Sequence, residues 1–122
     1  MSDFKQLRVW QRAHDLTLAI YRATSTFPKD ELYGLTSQMR RCAVSIGSNI
    51  AEGRGRDGDP EFQRFIAIAI GSTTELEYQL LLSRDLGYVS PGDYDDLLRS
   101  LAEVGRMLVA LRLRVRAARA GD

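Results

Sequence analysis

The last third of the chain places Tyr94, Leu97, Leu101, Val104, Leu108, Leu111, Val115 and Ala118 in unbroken steps of three and four. That spacing describes a helix with one apolar stripe packed at a shallow angle on its neighbours. A strand alternates its faces every second residue and cannot present it. Val9, Ala13, Leu16, Ile20, Ala23 and Phe27 repeat the pattern near the start, with Trp10, His14, Thr17 and Tyr21 as a second stripe. Neither helix can hide its stripe alone, so the segments between must supply partners.

The segments between are helical as well. Leu32, Leu35, Met39, Cys42, Ile46 and Asn49 make a third seam, in which an amide stands where an apolar residue is expected. Phe62, Phe65-Ile66-Ala67-Ile68-Ala69-Ile70, Leu76 and Leu80-Leu81-Leu82 form the fourth, and its early part is apolar around most of the circumference. Such a helix either has neighbours on several sides or faces a second subunit. Phe65, Ile66, Ile68 and Ile70 are the candidates for that oligomer interface.

Punctuation marks the ends. Pro28 pushes the residue before it out of the helical region. Asp30 and Glu31 suit the positive end of a helix dipole. Gly53 reads as the residue just past a helix end and Gly87 as another. Asp59 reads as a cap before Pro60 and Glu61. Ser90-Pro91-Gly92-Asp93 resembles a capping box. The helices are expected at about 4–26, 30–52, 60–86 and 91–118. Short connections make consecutive helices antiparallel. The expectation is an all-α protein, an antiparallel up-down-up-down four-helix bundle in one domain spanning all 122 residues.

Charge excludes little. Seventeen Lys and Arg stand against sixteen Asp and Glu, so net charge alone drives the chain toward neither nucleic acid nor a membrane. The distribution is less even, because Arg106, Arg112, Arg114, Arg116 and Arg119 follow Glu103 with no acid before Asp122. The single cysteine, Cys42, can form neither an internal disulfide nor a multi-cysteine zinc site, and reads as a small buried hydrophobe. No signal peptide and no apolar run of about 20 residues is present, so the protein is expected to be soluble and cytoplasmic.

The stretch from Gln38 to Arg56, QMRRCAVSIGSNIAEGRGR, combines small and polar residues. Ala43, Gly47 and Ala51 form a stripe with almost no side chain, a pattern tolerated where another backbone comes close. Ser45, Ser48, Asn49 and Glu52 lie near one another on the same helix. Two readings stand: a functional polar site, or a structural network with Ser72, Thr73 and Glu75 of the next helix. Buried polar groups must be paired or cost about 1–3 kcal/mol each, which favours the network. Arg54 or Arg56 could offset the Glu52 charge at the negative helix end.

Catalytic signatures are missing. A di-iron bundle needs Glu-x-x-His on two helices. The one histidine, His14, has Gln11 three residues before it. Glu75 and Glu77 are two apart and point in different directions. There is no triad and no P-loop, so the expectation is a non-enzyme without cofactor or metal, with a metal-dependent hydrolase as the alternative from another class. Arg54, Arg56, Arg112, Arg114, Arg116 and Arg119 are the candidate nucleic-acid contacts. For the tail the bland reading is equally open: cations near the negative end of a helix.

The assembled pattern resembles a known family, the four-helix bundle proteins encoded within intervening sequences of bacterial 23S ribosomal RNA. The resemblance rests on Leu7, Val9-Trp10 and Ala13; Phe27-Pro28 and Glu31; Tyr33-Gly34-Leu35-Thr36 and Gln38; Ser45-Ile46 and Ser48-Asn49-Ile50-Ala51-Glu52-Gly53. It continues through Arg56, Glu61-Phe62, Phe65, Ala69, Gly71-Ser72, Glu75-Leu76-Glu77 and Leu86-Gly87-Tyr88. SNIAEG together with GSxxELE at this spacing is specific. The resemblance implies a ring of protomers, commonly a homopentamer. It also implies likeness to the accessory protein of diversity-generating retroelements, a basic-surfaced barrel that binds nucleic acid and a reverse transcriptase. The partner it implies is thus RNA or DNA, or alternatively a protein for which the bundle is a scaffold or accessory factor.

Overall fold

Four helices account for nearly all of the chain in its computed structural model, which describes residues 3–56 and 58–121, with side chains as far as residue 118. They are α1 (Arg8–Thr24), α2 (Leu35–Arg54), α3 (Asp59–Asp85) and α4 (Pro91–Gly121), and the described residues include no strand. Each packs on its neighbours in the chain, and α4 closes on α1. The diagonal pairs, α1 with α3 and α2 with α4, do not approach one another. This is the expected up-down-up-down bundle.

Several helix ends differ from the sequence expectation, each for a local reason. α1 starts at Arg8 because Leu7 is extended (φ −76°, ψ 124°); Phe4–Gln6 form a separate 3₁₀ turn. Residues Lys29–Glu31 also form a 3₁₀ turn, and Gly34 (φ −112°, ψ −114°) delays α2 to Leu35. Leu32 is therefore exposed and outside the seam. At α3 the cap position belongs to Gly58, whose φ of +91° is in the left-handed region, and Asp59 falls inside the first turn with no capping bond. Ser90 does cap α4: its Oγ accepts the Asp93 N–H at 3.1 Å. Gly87 (φ +77°) closes α3 as expected, with Tyr88 N–H bonding Ser83 O and Gly87 N–H bonding Arg84 O, both at 2.9 Å.

The core follows the expected seams, except that Leu32, Leu81 and Ala118 are exposed and one position changes hands. Ile50, fully buried, takes the place predicted for Asn49. Leu16, Ile20, Met39, Ile46, Ile66, Leu76, Leu80, Val104 and Leu108 continue the core along the bundle with almost no exposure. Burying each such side chain stabilises the bundle by about 1.5–3 kcal/mol. The apolar start of α3 is thereby explained in part by the protomer itself. Ile66 and Phe65 are core residues, so of the four candidate interface residues Ile68 (41 % exposed) and half-buried Ile70 remain available to a partner.

Gly53 marks a close approach of α2 and α3. It lies inside α2, not past its end; Gly55 holds the C-cap position. A Cβ on Gly53 would sit 2.7 Å from Phe65 Cβ and 3.0 Å from Phe62 Cδ1. The close approach inferred for Gly47 is an ordinary contact, with Trp10 Nε1 at 3.5 Å from the position of a Cβ.

Alternating helix directions gather the start of α1, the end of α2, the start of α3 and the end of α4 at one end of the bundle. The opposite end holds the 29–34 and 86–90 connections. There Glu31 acts as a latch: Oε1 accepts the Leu35 N–H (3.2 Å), and Oε2 accepts the Tyr88 hydroxyl (2.9 Å). Phe27 packs on the Tyr88 ring with centroids 5.2 Å apart. A side chain on Gly34 would meet Glu31 Oε1 at 2.8 Å, which explains the glycine. The hydrogen bond from Tyr88 to Glu31 raises the tyrosine pKa above its ordinary value.

Candidate functional site

Three regions were singled out by the sequence: the polar stretch of α2, the arginines, and the small-residue stripe. The fold separates them.

The polar stretch builds a network on the α2–α3 seam. Ser45 and Ser72 share a hydroxyl hydrogen bond of 2.9 Å. The Asn49 amide donates to Ser45 O (2.7 Å) and Ser45 Oγ (3.0 Å). The Cys42 thiol donates to Ser72 O at 3.1 Å. Glu75 lines the shallow cleft above with Gln38 and Arg41, and receives a long bond from Gln79 Nε2 (3.4 Å). Gln79 Oε1 is buried without a partner. Burial, reinforced by the negative charge of Glu75, pushes the Cys42 thiol up to about 12. A thiol so held is neutral near pH 7, and the thiol form is a poor nucleophile. Glu52 and Ser48 lie outside this network. Glu52 is exposed and pairs with Arg56 at 3.4 Å, and Ser48 lines a different groove, beside Trp10. Thr73 bonds Ile70 O within its own helix.

The small-residue stripe faces α1. Gly47, Ala51, Val44 and Ser48 form one wall of an open groove of about 360 Å³, and Phe4, Trp10, His14 and Thr17 form the other. His14 stacks on Trp10 (centroids 5.1 Å, planes 7° apart), and Thr17 donates to Ala43 O across the helix pair at 3.2 Å. A second shallow groove, lined by Ile70, Ala102, Gly105 and Val109, lies between α3 and α4 on the opposite side. Among the described residues no three His, Cys, Asp or Glu side chains come close enough together to hold a metal ion. No helix among the described residues is long and apolar enough to cross a membrane.

The arginines, distant in sequence, share one end of the bundle. Arg54 and Arg56 sit where α2 meets α3, and Arg112, Arg114 and Arg116 lie on the last turns of α4. Leu111 and Val115 pin those turns to the core, so Arg112 and Arg116 flank them on one side and Arg114 on the other. Arg116 reaches Gln63 of α3 at 3.4 Å, and Arg112 is half-buried with its Nε lacking a partner. Arg119 lies outside the residues whose side chains are described. The sequence reading missed three more cations here: Lys5, Arg8 and Arg64. Topology brings them in, and no local motif marks them. Arg56 and Arg64 both lie over the Phe65 ring, at 5.5 Å and 4.5 Å. Eight cations thus meet four described carboxylates, Asp3, Glu52, Asp59 and Glu61. At the other end Arg22, Lys29, Arg40, Arg41, Arg84 and Arg99 meet Asp30, Glu31, Asp85, Asp93, Asp95 and Asp96.

The model of the family described as 23S rRNA-intervening sequence protein matches residues 5–110. A crystal structure from Bacteroides thetaiotaomicron, described as a protein with unknown function from the S23 ribosomal protein family, has the same fold. The TM-score is 0.79 at 21 % identity, over 85 % of this chain and 94 % of that one. No curated protein matches the sequence.

Proposed function

The chain belongs to the family of 23S rRNA-intervening sequence proteins, and from that premise we propose that it is a non-enzymatic, homo-oligomeric bundle that binds RNA or DNA at its basic end. The observation that carries this reading is the convergence of cations from three separate segments on one end of a chain whose net charge is only +1. Arg54, Arg56, Arg112, Arg114 and Arg116 are the contacts, with Arg119 following on the same helix. Phosphate contacts by such a surface are sequence-tolerant, because no base-reading element accompanies them.

The oligomer in this proposal is a ring, a pentamer by the family resemblance. Two grooves floored by small residues on opposite sides of the bundle support it. Seating the α3–α4 face of one copy on the α1–α2 face of the next is a head-to-tail contact, and such a contact forms a ring when the rotation between copies closes. A ring axis along the bundles places every basic end on one rim and sums their fields. Sedimentation should give about five times the 13.7 kDa protomer mass; a clean monomer at micromolar concentration contradicts the ring.

Anisotropy titration of a labelled single-stranded RNA and a labelled DNA duplex, each at two salt concentrations, tests binding. The expected result is affinity that falls steeply as salt rises. Absence of binding at low salt would reject the nucleic-acid reading and leave a protein partner, with the bundle as its scaffold.

A further inference from the structure

A groove of about 520 Å³ runs between the first turns of α1 and the later turns of α4, beside the basic end. Its floor is apolar: Val9, Met107, Ala110 and Leu111. Its rim carries Arg8 and Arg114, both exposed, and among the described residues neither makes a salt bridge or a side-chain hydrogen bond. Glu103 also lines it, but its carboxylate is held by Arg12 at 3.2 Å, which offsets that charge. The contrast with nearby arginines is informative. Arg56 is tied to Glu52, Arg64 to Glu61, and Arg116 to Gln63. Arg54, exposed at the same end, also makes no salt bridge or side-chain hydrogen bond among the described residues, so what sets Arg8 and Arg114 apart is the apolar floor between them.

We propose that this groove holds one nucleotide unit of the bound strand, its phosphate on Arg8 and Arg114 and its sugar and base edge on the Met107–Leu111 floor. The inference rests on the nucleic-acid reading above and adds to it a defined seat, which joins Arg114 of the tail to Arg8 across the α1–α4 floor. Three features fit that occupant. The rim has the charge of a phosphate partner, and guanidinium groups pair with phosphate through two parallel N–H bonds. The floor is apolar and includes a pliable methionine, suited to a flat, variable surface such as a base. The groove also lies at the basic end, and Arg114 belongs both to its rim and to the arginines of late α4.

Two measurements on the intact chain test this. The first is anisotropy with the same RNA and DNA probes on the Arg8→Gln/Arg114→Gln variant. Losing about one phosphate contact per protomer should lower the slope of log affinity against log salt by about 0.7–0.9 and weaken low-salt binding by about tenfold. The second uses protein labelled at the methionine methyl carbons. The Met107 signal should shift on adding the RNA, while that of Met39, buried in the core, should stay in place. Unchanged affinity and slope in the variant, or a Met107 methyl that does not move at saturation, overturns the groove. If Arg54→Gln/Arg56→Gln then abolishes binding, the strand sits on the α2–α3 loop and the broader reading survives. A wild-type protein that binds neither probe overturns both proposals together.

Discussion

The two ends of the bundle are built from similar numbers of charged residues and use them differently. At the end with the 29–34 turn, Glu31 and Arg40 fasten the structure, while Arg22, Lys29, Asp30 and Arg41 stay exposed. Glu31 accepts hydrogen bonds from Leu35 and Tyr88, and Arg40 donates to Thr24 Oγ1 (2.9 Å) while lying over the Tyr21 ring. At the other end the helices are held by shape, through Gly53 against Phe62 and Phe65, and cations are left over on the surface. What separates the two ends as ligand surfaces is the balance of sign: eight cations against four described carboxylates at the shape-held end, and six of each at the other. The SNIAEG segment matched for the family resemblance serves the second design through its glycine, and the Glu31, Gly34 and Tyr88 motif positions serve the first.

Breaking the shape-held end should have the largest effect. Gly53→Ala places a methyl 2.7 Å from Phe65 Cβ, which cannot swing away as the tip of a long side chain would. Overpacking of this kind costs about 1–3 kcal/mol, against about 1 kcal/mol gained from helix propensity. Urea unfolding should show a net loss; a more stable variant would mean that the close approach is not a constraint.

The polar latch should respond less sharply and in parts. Glu31→Ala removes both acceptors and should cost about 1–2 kcal/mol, while Tyr88→Phe removes one bond and should cost about 0.5–1.5 kcal/mol. Thermal unfolding of both variants, and of the pair together, would show the two losses to be less than additive if Glu31 is the shared partner. Full additivity would contradict the latch.

The smallest effect at neutral pH concerns the seam between the ends. The Cys42 thiol has a folded pKa of about 12, above its ordinary 9.0. Its neutral form is favoured in the fold, so its contribution is complete below about pH 9 and is lost as pH rises toward 12. Alkylation of the native protein at pH 8 should be slow and should speed up when urea unfolds the chain. Equal rates in both states would show that Cys42 is not buried.

Much of this was legible in the sequence because helical periodicity is a strong local signal. The α4 seam from Tyr94 to Val115 and the Gly87 terminus stand as read. The misreadings are places where a local rule met a tertiary demand. Gly53 looked like a helix end because glycine usually is one there; its reason lies in Phe62 and Phe65, far enough along the chain that no local pattern shows it. Asp30 and Glu31 looked like the first turn of α2, but Glu31 is needed as a side-chain cap and the backbone turns at Gly34 to provide it. Asn49 was placed on the core seam because three-four counting tolerates either Asn49 or Ile50, and burial chose the apolar one. The candidate arginines were visible individually. Their shared location, and the addition of Lys5, Arg8 and Arg64, follow from the antiparallel topology, which composition cannot display.

The central claim is that location, not net charge, makes one end the binding end, and matched charge removal tests it most directly. Arg54→Gln/Arg56→Gln/Arg114→Gln removes three cations from the basic end; Arg22→Gln/Lys29→Gln/Arg41→Gln removes three from the other. Anisotropy titrations of both triple variants with one labelled RNA, across a range of salt, compare them at equal net charge. The account predicts that the first variant loses most of its affinity and flattens its salt dependence, while the second stays close to the unmodified protein. Equal losses in the two variants would contradict it.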